Sequence, residues 1–201
     1  MKIFCIGMNY VNHVKEMGNR PIPEAPVVFM KPVTALLKDS GVFYHPEFSD
    51  NIHHEIEVVI KVAKNGKHIQ PAFALDYIEA VSVGIDFTAR DLQTSLKENK
   101  HPWEISKAFD GSALVGSWQP YARHEDIDFS LEKNAKIQQR GNTKDLLFNF
   151  EKLITHISIY FTLNKGDLIF TGTPEGVSQV LIGDEIKGFM NGKELFNCTI
   201  K

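Results

Sequence analysis

Two glutamates that enter an apolar segment are the strongest chemical signal in this chain. They lie in the run HHEIEV at residues 53–58. In a β-strand, side chains two positions apart point the same way, so Glu55 and Glu57 share one face and the apolar residues beside them share the other. Two carboxylates on one face repel each other unless a cation or a proton lies between them. The pattern predicts a cation site, and its alternative is a solvated edge strand with outward charges.

Asp86 is the candidate for a third carboxylate. It follows an apolar run at 81–85 and precedes a helical pattern. Junctions between a strand and a helix often place a functional carboxylate at the rim of a sheet, although helix capping is the alternative role for an aspartate there. Three carboxylates without a Cys/His cluster are ligands that suit Mg2+ or Mn2+ far better than Zn2+.

Three further features could complete a pocket around these carboxylates. The segment TGTPEG at 171–176 offers backbone N–H groups and hydroxyls that could cradle a carboxylate, with a plain tight turn as the alternative. Lys107 is flanked by aromatic residues, so it could neutralise an anionic substrate or extend from an apolar surface into water. His13 and Glu16 are three residues apart in a helical pattern, which permits either an acid–base pair or two surface residues.

Short strands separated by turns must position these residues. Apolar, β-branched or aromatic runs predict strands at 2–6, 27–30, 55–62, 77–86, 167–170 and 194–200. Helical patterns occur at 11–17, 88–97 and 150–161. Because the strands do not alternate with regular long helices, the sequence favours a β-rich α+β fold over a doubly wound sheet.

The composition excludes several classes of protein. The chain has 201 residues, a net charge of −3 and 43% hydrophobic residues, without the basic excess that nucleic acid or an anionic membrane requires. No apolar run approaches the length of a membrane span. The first segment turns polar at Asn9, which disfavours export. Cys5 and Cys198 lie in apolar runs, so we expect buried free thiols in a cytoplasmic protein.

In this order, the motifs resemble the fumarylacetoacetate hydrolase family, most closely its compact acylpyruvate hydrolase and oxaloacetate decarboxylase-like members. The resemblance rests on GMNY at 7–10 with His13 and Glu16, HEIE at 54–57, DFTARDLQ at 86–93, PW at 102–103 leading to Lys107, TGTPEGV at 171–177 and GDEI at 183–186. It spans essentially the whole chain, which favours one catalytic domain over 1–201 with a lid helix at about 10–18. The family commonly has arginine where this chain has Met8, so a guanidinium that could clamp a carboxylate or anchor the lid is missing.

The resemblance implies a mixed β-roll, like the C-terminal domain of fumarylacetoacetate hydrolase, around a Mg2+ or Mn2+ site in a homodimer. It implies that the metal ligands are Glu55, Glu57 and Asp86. The other roles that it implies are water activation on the lid by His13 and Glu16, binding or polarisation of substrate oxygens by Lys107 and Gln93, and binding of the substrate's carboxylate by Thr173.

The activity expected from this resemblance is hydrolysis of a C–C bond in acylpyruvate-type 2,4-dioxo acids, with release of pyruvate. A 2-oxo acid can chelate the ion, which stabilises the enolate that forms when the neighbouring C–C bond breaks. A water activated by His13 completes the hydrolysis, and without it the same stabilisation supports decarboxylation of oxaloacetate. Two alternatives stay open: an isomerase or tautomerase of 2-oxo or 2-hydroxy-diene dicarboxylic acids, and a non-catalytic module that binds metal or 2-oxo acid.

Overall fold

A computed structural model describes residues 1–16, 18, 21–38 and 41–201. The strands are β1 (Ile3–Gly7), β2 (Val27–Lys31), β3 (Val42–Phe43), β4 (Ile52–His54), β5 (Ile56–Val62), β6 (Ile78–Asp86), β7 (Thr88–Ala89), β8 (Ala113–Val115), β9 (Gln119–Pro120), β10 (Asp128–Lys133), β11 (Lys136–Asn142), β12 (Leu168–Phe170), β13 (Ser178–Gln179), β14 (Glu185–Met190) and β15 (Lys193–Ile200). The α-helices are α1 (Val11–Glu16), α2 (Arg90–Glu98), α3 (Glu104–Lys107) and α4 (Phe150–Tyr160), and short 3-10 helices span Val33–Ala35, Pro71–Tyr77 and Thr143–Asp145.

The strands form three sheets with mixed strand directions. The largest has the order β2-β1-β12-β5-β6-β8, with β9 also paired to β6, and only its β1–β12 pair is parallel in the described part of the chain. The second has the order β11-β10-β14-β15-β3 and the third β13-β4-β7. This β-rich α+β architecture with few helices confirms the predicted fold class.

Alternation along β5 and β6 separates the hydrophobic core from a polar face. Ile56 and Val58 belong to the main core, as do the odd-numbered residues at 81–85 of β6. Glu57 and Asp86 occupy the intervening positions and point to the other face. Glu57 is paired with Gly84, where a Cβ would lie 2.4 Å from a backbone oxygen of β8. The glycine therefore lets β8 approach closely beside the carboxylates.

The strand predicted at 55–62 is β5, which begins at Ile56, and the residues just before Glu55 belong to a strand of a different sheet. β4 ends at His54 and pairs with β13 and β7, whereas β5 begins at Ile56 in the largest sheet. The N–H of Ile56 donates to the side chain of Gln139 at 3.1 Å, and the carbonyl of Glu55 accepts from the N–H of Asp86 at 2.9 Å. The chain therefore changes sheets at Glu55, which places this glutamate where the two sheets meet.

The predicted helices are present with small shifts. α2 begins two residues later than predicted, because Thr88 and Ala89 pair with β4 as the short strand β7. α1 has the predicted start, and Met17 lies outside the described residues. Cys5 and Cys198 are fully buried, as predicted, and neither forms a disulfide with a described residue. Within the described ranges, no helix is long and apolar enough to cross a membrane.

Candidate active site

Three buried carboxylates meet at the end of β6. Glu55, Glu57 and Asp86 each offer an oxygen that lies within 4.8 Å of the oxygens of the other two. The exposed fractions of Glu55, Glu57 and Asp86 are 5%, 2% and 1%. β5 lies between β12 and β6, so the solvated edge strand is excluded for Glu57. Asp86 is not a helix cap either, because the N-cap of α2 is Ala89 and no side chain caps it.

Three cationic side chains compensate two of the carboxylates. The Nζ of Lys107 lies 2.7 Å from Glu55 Oε2 and 2.8 Å from Asp86 Oδ2. The Nζ of Lys31 lies 2.8 Å from the other oxygen of Asp86. Arg90 pairs with the other oxygen of Glu55. The structure thus places a cation against every oxygen of Glu55 and Asp86.

Glu57 is the carboxylate that lacks a cationic partner. Among the ion pairs of the described residues none includes it, and its Oε2 accepts a hydrogen bond from the N–H of Gly172 at 2.6 Å. Burial, followed by the charges of Asp86 and Glu55, raises the pKa of Glu57 well above its usual range. Burial also acts to raise the pKa of Glu55, but its cationic neighbours, Lys107 foremost, hold that pKa well below its usual range. The charge balance of the cluster would therefore favour a further cation beside Glu57.

The donor set fits a hard divalent cation. The three residues offer carboxylate oxygens alone, from positions that one ion could reach together. Oxygen ligands of this kind suit Mg2+ and Mn2+, whereas structural Zn2+ sites favour sulfur and nitrogen. Glu55, Glu57 and Asp86 are therefore the residues that could hold a metal ion, as the resemblance implies.

Lys107 is held by protein oxygens. Its Nζ donates to Glu55 and Asp86 and, at 2.6 Å, to the hydroxyl of Thr88. These acceptors use all three N–H donors of an ammonium group, so a substrate oxygen reaches Lys107 only by replacing one of them. Burial acts to lower the pKa of Lys107, but Asp86 and Glu55 outweigh it and raise the pKa. The residue is 5% exposed, so the alternative of a lysine that extends into water is wrong.

Lys31 and Arg90 are site residues that the sequence analysis did not identify. Lys31 is 1% exposed, and its Nζ donates to Ser112 Oγ at 3.0 Å and to the carbonyl of Lys107. Arg90 donates to Gln93 Oε1 at 2.8 Å, so the amide nitrogen of Gln93 does not face Arg90. A lysine at the end of the apolar strand β2 was a signal for Lys31. Arg90 lies inside the motif at 86–93, but its spacing does not reveal its partner at Glu55.

We expect Lys31→Met to destabilise the protein by about 3–5 kcal/mol in chelator, because it removes the buried cation that faces Asp86 Oδ1 and two backbone carbonyls, and of the described residues only Lys107 still pairs with Asp86. Denaturant unfolding measures this change. Lys61→Met is the matched control, since the Lys61–Glu79 pair is about one-third exposed and should be worth less than about 1 kcal/mol. Equal losses in the two variants would contradict a structural role for Lys31.

The carboxylates form one end of a pocket that most of the predicted site residues share. Seven of the eight line it: His13, Glu55, Glu57, Asp86, Gln93, Lys107 and Thr173. Glu16 reaches it through its contact with His13. The apolar part of the lining consists of Ile6, Met8, Val27, Phe29 and Trp103. The pocket therefore has a charged end and an apolar wall.

His13 and Glu16 form a pair at this pocket. His13 Nδ1 lies 3.3 Å from Glu16 Oε2, and His13 is 7% exposed, so the alternative of two surface residues is wrong for the histidine. Glu16 Oε1 also accepts from the N–H of Gly176 at 3.1 Å, and Asn12 donates to Glu175 at 3.1 Å. These two hydrogen bonds hold α1 against the segment at 171–176. With Nδ1 facing Glu16, Nε2 is the nitrogen left for a water.

The glycines at 171–176 bind carboxylates of the protein itself. The N–H of Gly172 donates to Glu57, and that of Gly176 donates to Glu16. Gly172 has a φ of +106°, and a Cβ there would lie 2.6 Å from Asn9 Cβ, so the close approach requires glycine. The expected backbone cradle for a substrate carboxylate is therefore used internally by these two N–H groups. Thr173 is the residue of this segment that lines the pocket, and it carries a hydroxyl.

Comparisons with known proteins find relatives over almost the whole chain. The family model described as fumarylacetoacetate (FAA) hydrolase C-terminal matches residues 2–201. The mitochondrial oxaloacetate tautomerase FAHD1 of Arabidopsis thaliana is 38% identical over 194 residues, which cover 95% of this chain and 86% of that protein. The structure of fumarylpyruvate hydrolase from Pseudomonas aeruginosa in complex with Mn2+ and pyruvate has a TM-score of 0.93 and 34% identity, covering 100% of this chain and 89% of that one.

A third relative is an isomerase. The structure of 5-carboxymethyl-2-hydroxymuconate delta-isomerase from Mycobacterium smegmatis has a TM-score of 0.87 and 32% identity, covering 99% of this chain and 78% of that one. Hydrolases, tautomerases and isomerases are therefore all similar to this chain over most of its length.

Proposed function

The chain belongs to the fumarylacetoacetate hydrolase family, and we propose that it is a Mg2+- or Mn2+-dependent hydrolase of acylpyruvate-type 2,4-dioxo acids that releases pyruvate. The observation that carries this proposal is the meeting of a buried carboxylate triad and a His13–Glu16 pair in one pocket. The related enzyme bound to Mn2+ and pyruvate supports it, since pyruvate is the product that this reaction would release.

The residues of the charged end would bind and orient the 2-oxo acid part of the substrate. A Mg2+ or Mn2+ ion held by the triad supplies a Lewis acid that stabilises negative charge on substrate oxygens. The Thr173 hydroxyl donates to the substrate's carboxylate, and the free amide nitrogen of Gln93 donates to a substrate oxygen. The positive charge of Lys107 offsets the negative charge that develops as the C–C bond breaks.

His13 would act as the general base for hydrolysis. Glu16 accepts from Nδ1 and so keeps Nε2 unprotonated, ready to take a proton from water. The resulting hydroxide adds to the distal carbonyl, and cleavage of the C–C bond leaves its electron pair on the pyruvate fragment. Protonation of that carbon gives pyruvate, and the acyl group leaves as a carboxylic acid. The reaction thus consumes one water.

The apolar wall of the pocket suits the acyl group. Met8, Val27, Phe29 and Trp103 line the same pocket as the carboxylates and offer contact area for a hydrocarbon tail. Burial of each methylene group is worth about 0.8 kcal/mol. We therefore propose an acylpyruvate with an uncharged acyl chain as the preferred substrate.

Keto–enol tautomerisation of oxaloacetate is the second candidate function. The Arabidopsis relative, at 38% identity, is named an oxaloacetate tautomerase. Tautomerisation moves a proton without an attacking water, so the same charged end could support it with His13 as the proton carrier. Decarboxylation of oxaloacetate would use the same stabilisation of negative charge.

One assay separates these functions. Acetylpyruvate and oxaloacetate are each incubated with the protein and Mg2+ or Mn2+, and pyruvate and the enol absorbance are followed together. We expect pyruvate to form from acetylpyruvate in the same amount as acetate. A change in the enol absorbance of oxaloacetate without pyruvate, and no cleavage of acetylpyruvate, would instead support the tautomerase.

We expect Lys107→Met to lower kcat by about 10²-fold while Mn2+ binding survives, because the variant keeps the side-chain length and removes only the charge. Arg90 and Lys31 still contact the triad, so its carboxylates keep partners. Lys165→Met, at an exposed position, is the control. Turnover and Mn2+ affinity both near wild type would contradict a role for Lys107.

Homodimer formation and a cytoplasmic location stay predictions. Sedimentation of the purified protein tests the first. The second competes with the mitochondrial location in the name of the Arabidopsis relative, and fractionation of cells that make the protein tests it.

A further inference from the structure

A buried glutamine from the second sheet contacts the substrate-binding threonine. Gln139, on β11, is 2% exposed, and its Nε2 lies 2.8 Å from the hydroxyl oxygen of Thr173. The resemblance to the family assigned no role to this residue, and its polar strand offers no sequence signal for one. Its contacts nevertheless determine which way the hydrogen of the Thr173 hydroxyl points.

The amide of Gln139 can adopt one orientation only. Its oxygen accepts from the backbone N–H of Ile56 at 3.1 Å, and its nitrogen donates to the carbonyl of Pro174 at 2.9 Å. A backbone N–H cannot accept and a carbonyl cannot donate. A flipped amide would turn its nitrogen toward the N–H of Ile56 and its oxygen toward the carbonyl of Pro174, so that orientation is excluded. The group that faces Thr173 is therefore a donor.

Thr173 must then direct its own hydrogen away from Gln139. The other protein acceptor that the structure records for it is the carbonyl of Pro174 at 3.5 Å, longer than the usual 2.5–3.0 Å for an O–H donor. That carbonyl already accepts from Gln139. Because Thr173 lines the pocket, its O–H is free to donate to an acceptor that binds there.

A second buried contact holds the oxygen of Gln139 in place. His54 is fully buried, and its Nδ1 lies 2.8 Å from Gln139 Oε1, so Nδ1 is the donor of that bond. His54 Nε2 lies 2.8 Å from the hydroxyl of Ser178, and this hydroxyl donates to Nε2. Every hydrogen-bonding group of the Gln139 amide is thus satisfied by the protein, which makes its orientation rigid.

We propose that Gln139 is a positioning residue that fixes the Thr173 hydroxyl as a hydrogen-bond donor to the carboxylate of a 2-oxo acid. The inference rests on the proposed function, in which Thr173 binds that carboxylate. A donor whose direction is set before binding needs no reorganisation when the anion arrives. It also disfavours a ligand that presents a donor at this point, because two donors would face each other.

A double-mutant cycle of Gln139→Glu and Thr173→Val tests the proposal. The carboxylate that Gln139→Glu introduces would still accept from Ile56 and His54, but it has no hydrogen to give, so the Thr173 hydroxyl turns toward it and away from the pocket. The readout is the Kd of oxalate for the Mn2+-loaded protein, measured by calorimetry, with the Kd of Mn2+ alone as a second readout. Gln138→Glu, the same change at the neighbouring residue, controls for added charge.

We expect each single variant to weaken oxalate binding about 10- to 100-fold, the usual value of one hydrogen bond to a charged group. We expect the double variant to bind no more weakly than Thr173→Val, and Mn2+ binding to stay near wild type. Gln139→Met, which removes the donor without adding charge, should also weaken binding. Losses that multiply in the double variant, or a Gln139→Glu protein with normal oxalate affinity, would overturn the proposal.

The same measurements separate this proposal from the proposed function. Wild-type protein that binds oxalate with Mn2+ but cleaves no acetylpyruvate would overturn the proposed function, while the cycle still decides the role of Gln139. Wild-type protein that binds no oxalate in the presence of Mn2+ would overturn both.

Discussion

We expect Glu57→Ala to abolish metal binding and to lower turnover by at least about 10³-fold. Glu57 is the triad member that no cation contacts among the described ion pairs. Its removal leaves Glu55 and Asp86, whose oxygens already bind Lys107, Lys31 and Arg90. Calorimetric titration with Mn2+ and an acetylpyruvate assay measure the two losses.

Thermal unfolding gives an independent measure of the same site. An ion at 100 times its Kd stabilises the folded state by about 2.7 kcal/mol, so millimolar Mg2+ or Mn2+ should raise the Tm of the wild type and leave that of Glu57→Ala unchanged. Glu79→Ala, a substitution of a partly exposed carboxylate of β6, should behave as the wild type. A wild-type Tm that does not respond to either ion would contradict a preformed metal site.

We expect His13→Ala to lower acetylpyruvate hydrolysis by about 10²–10⁴-fold, the usual contribution of a general base, with metal affinity intact. Decarboxylation of oxaloacetate should fall less, because it needs stabilisation of negative charge but no attacking water. The decisive quantity is the ratio of the two activities in the variant relative to the wild type, at saturating Mg2+.

The control for this ratio is His156→Ala in α4. This substitution removes the ring contact between His156 and Tyr160. Equal loss of both activities in His13→Ala would mean that His13 positions substrate or closes the lid. No loss of either would show that His13 has no part in the reaction, despite its place in the pocket.

Local sequence patterns were sufficient to predict the face that carries the carboxylates. The two-residue period of a strand places Glu57 opposite the apolar residues of β5, and Asp86 follows the same rule at the end of β6. Only short-range periodicity and the cost of uncompensated buried charge were needed. The prediction that Glu55 and Glu57 lie together is therefore correct even though β4 and β5 divide at Glu55.

The partners of those carboxylates could not be predicted in the same way. Lys31 comes from β2 and Lys107 from α3, and their meeting at Asp86 depends on long-range packing that no local pattern contains. Gln139 belongs to a different sheet, and its polar strand resembles a solvated one. The glycines of 171–176 were predicted as a possible cradle for a carboxylate, but the sequence does not show that the carboxylates they bind are those of Glu57 and Glu16.

Strands of the second sheet were missed for a related reason. Over five positions each, β10 and β11 alternate buried and more exposed residues, and many of the more exposed ones have charged or amide side chains. Such strands have few apolar residues, so their composition does not predict a strand. They are strands because they pair with their neighbours in the sheet. The fold class was predicted correctly from the other strands, which are more hydrophobic.

Acetylpyruvate cleavage by the wild-type protein in excess chelator, measured again after Mg2+ or Mn2+ is restored, decides whether the reaction depends on a metal ion. We expect no release of pyruvate in chelator and full recovery with metal, and no recovery when Glu57→Ala receives the same ions. Pyruvate released at the full rate in chelator would contradict this expectation, because the triad of Glu55, Glu57 and Asp86 would then have no metal-dependent part in the reaction.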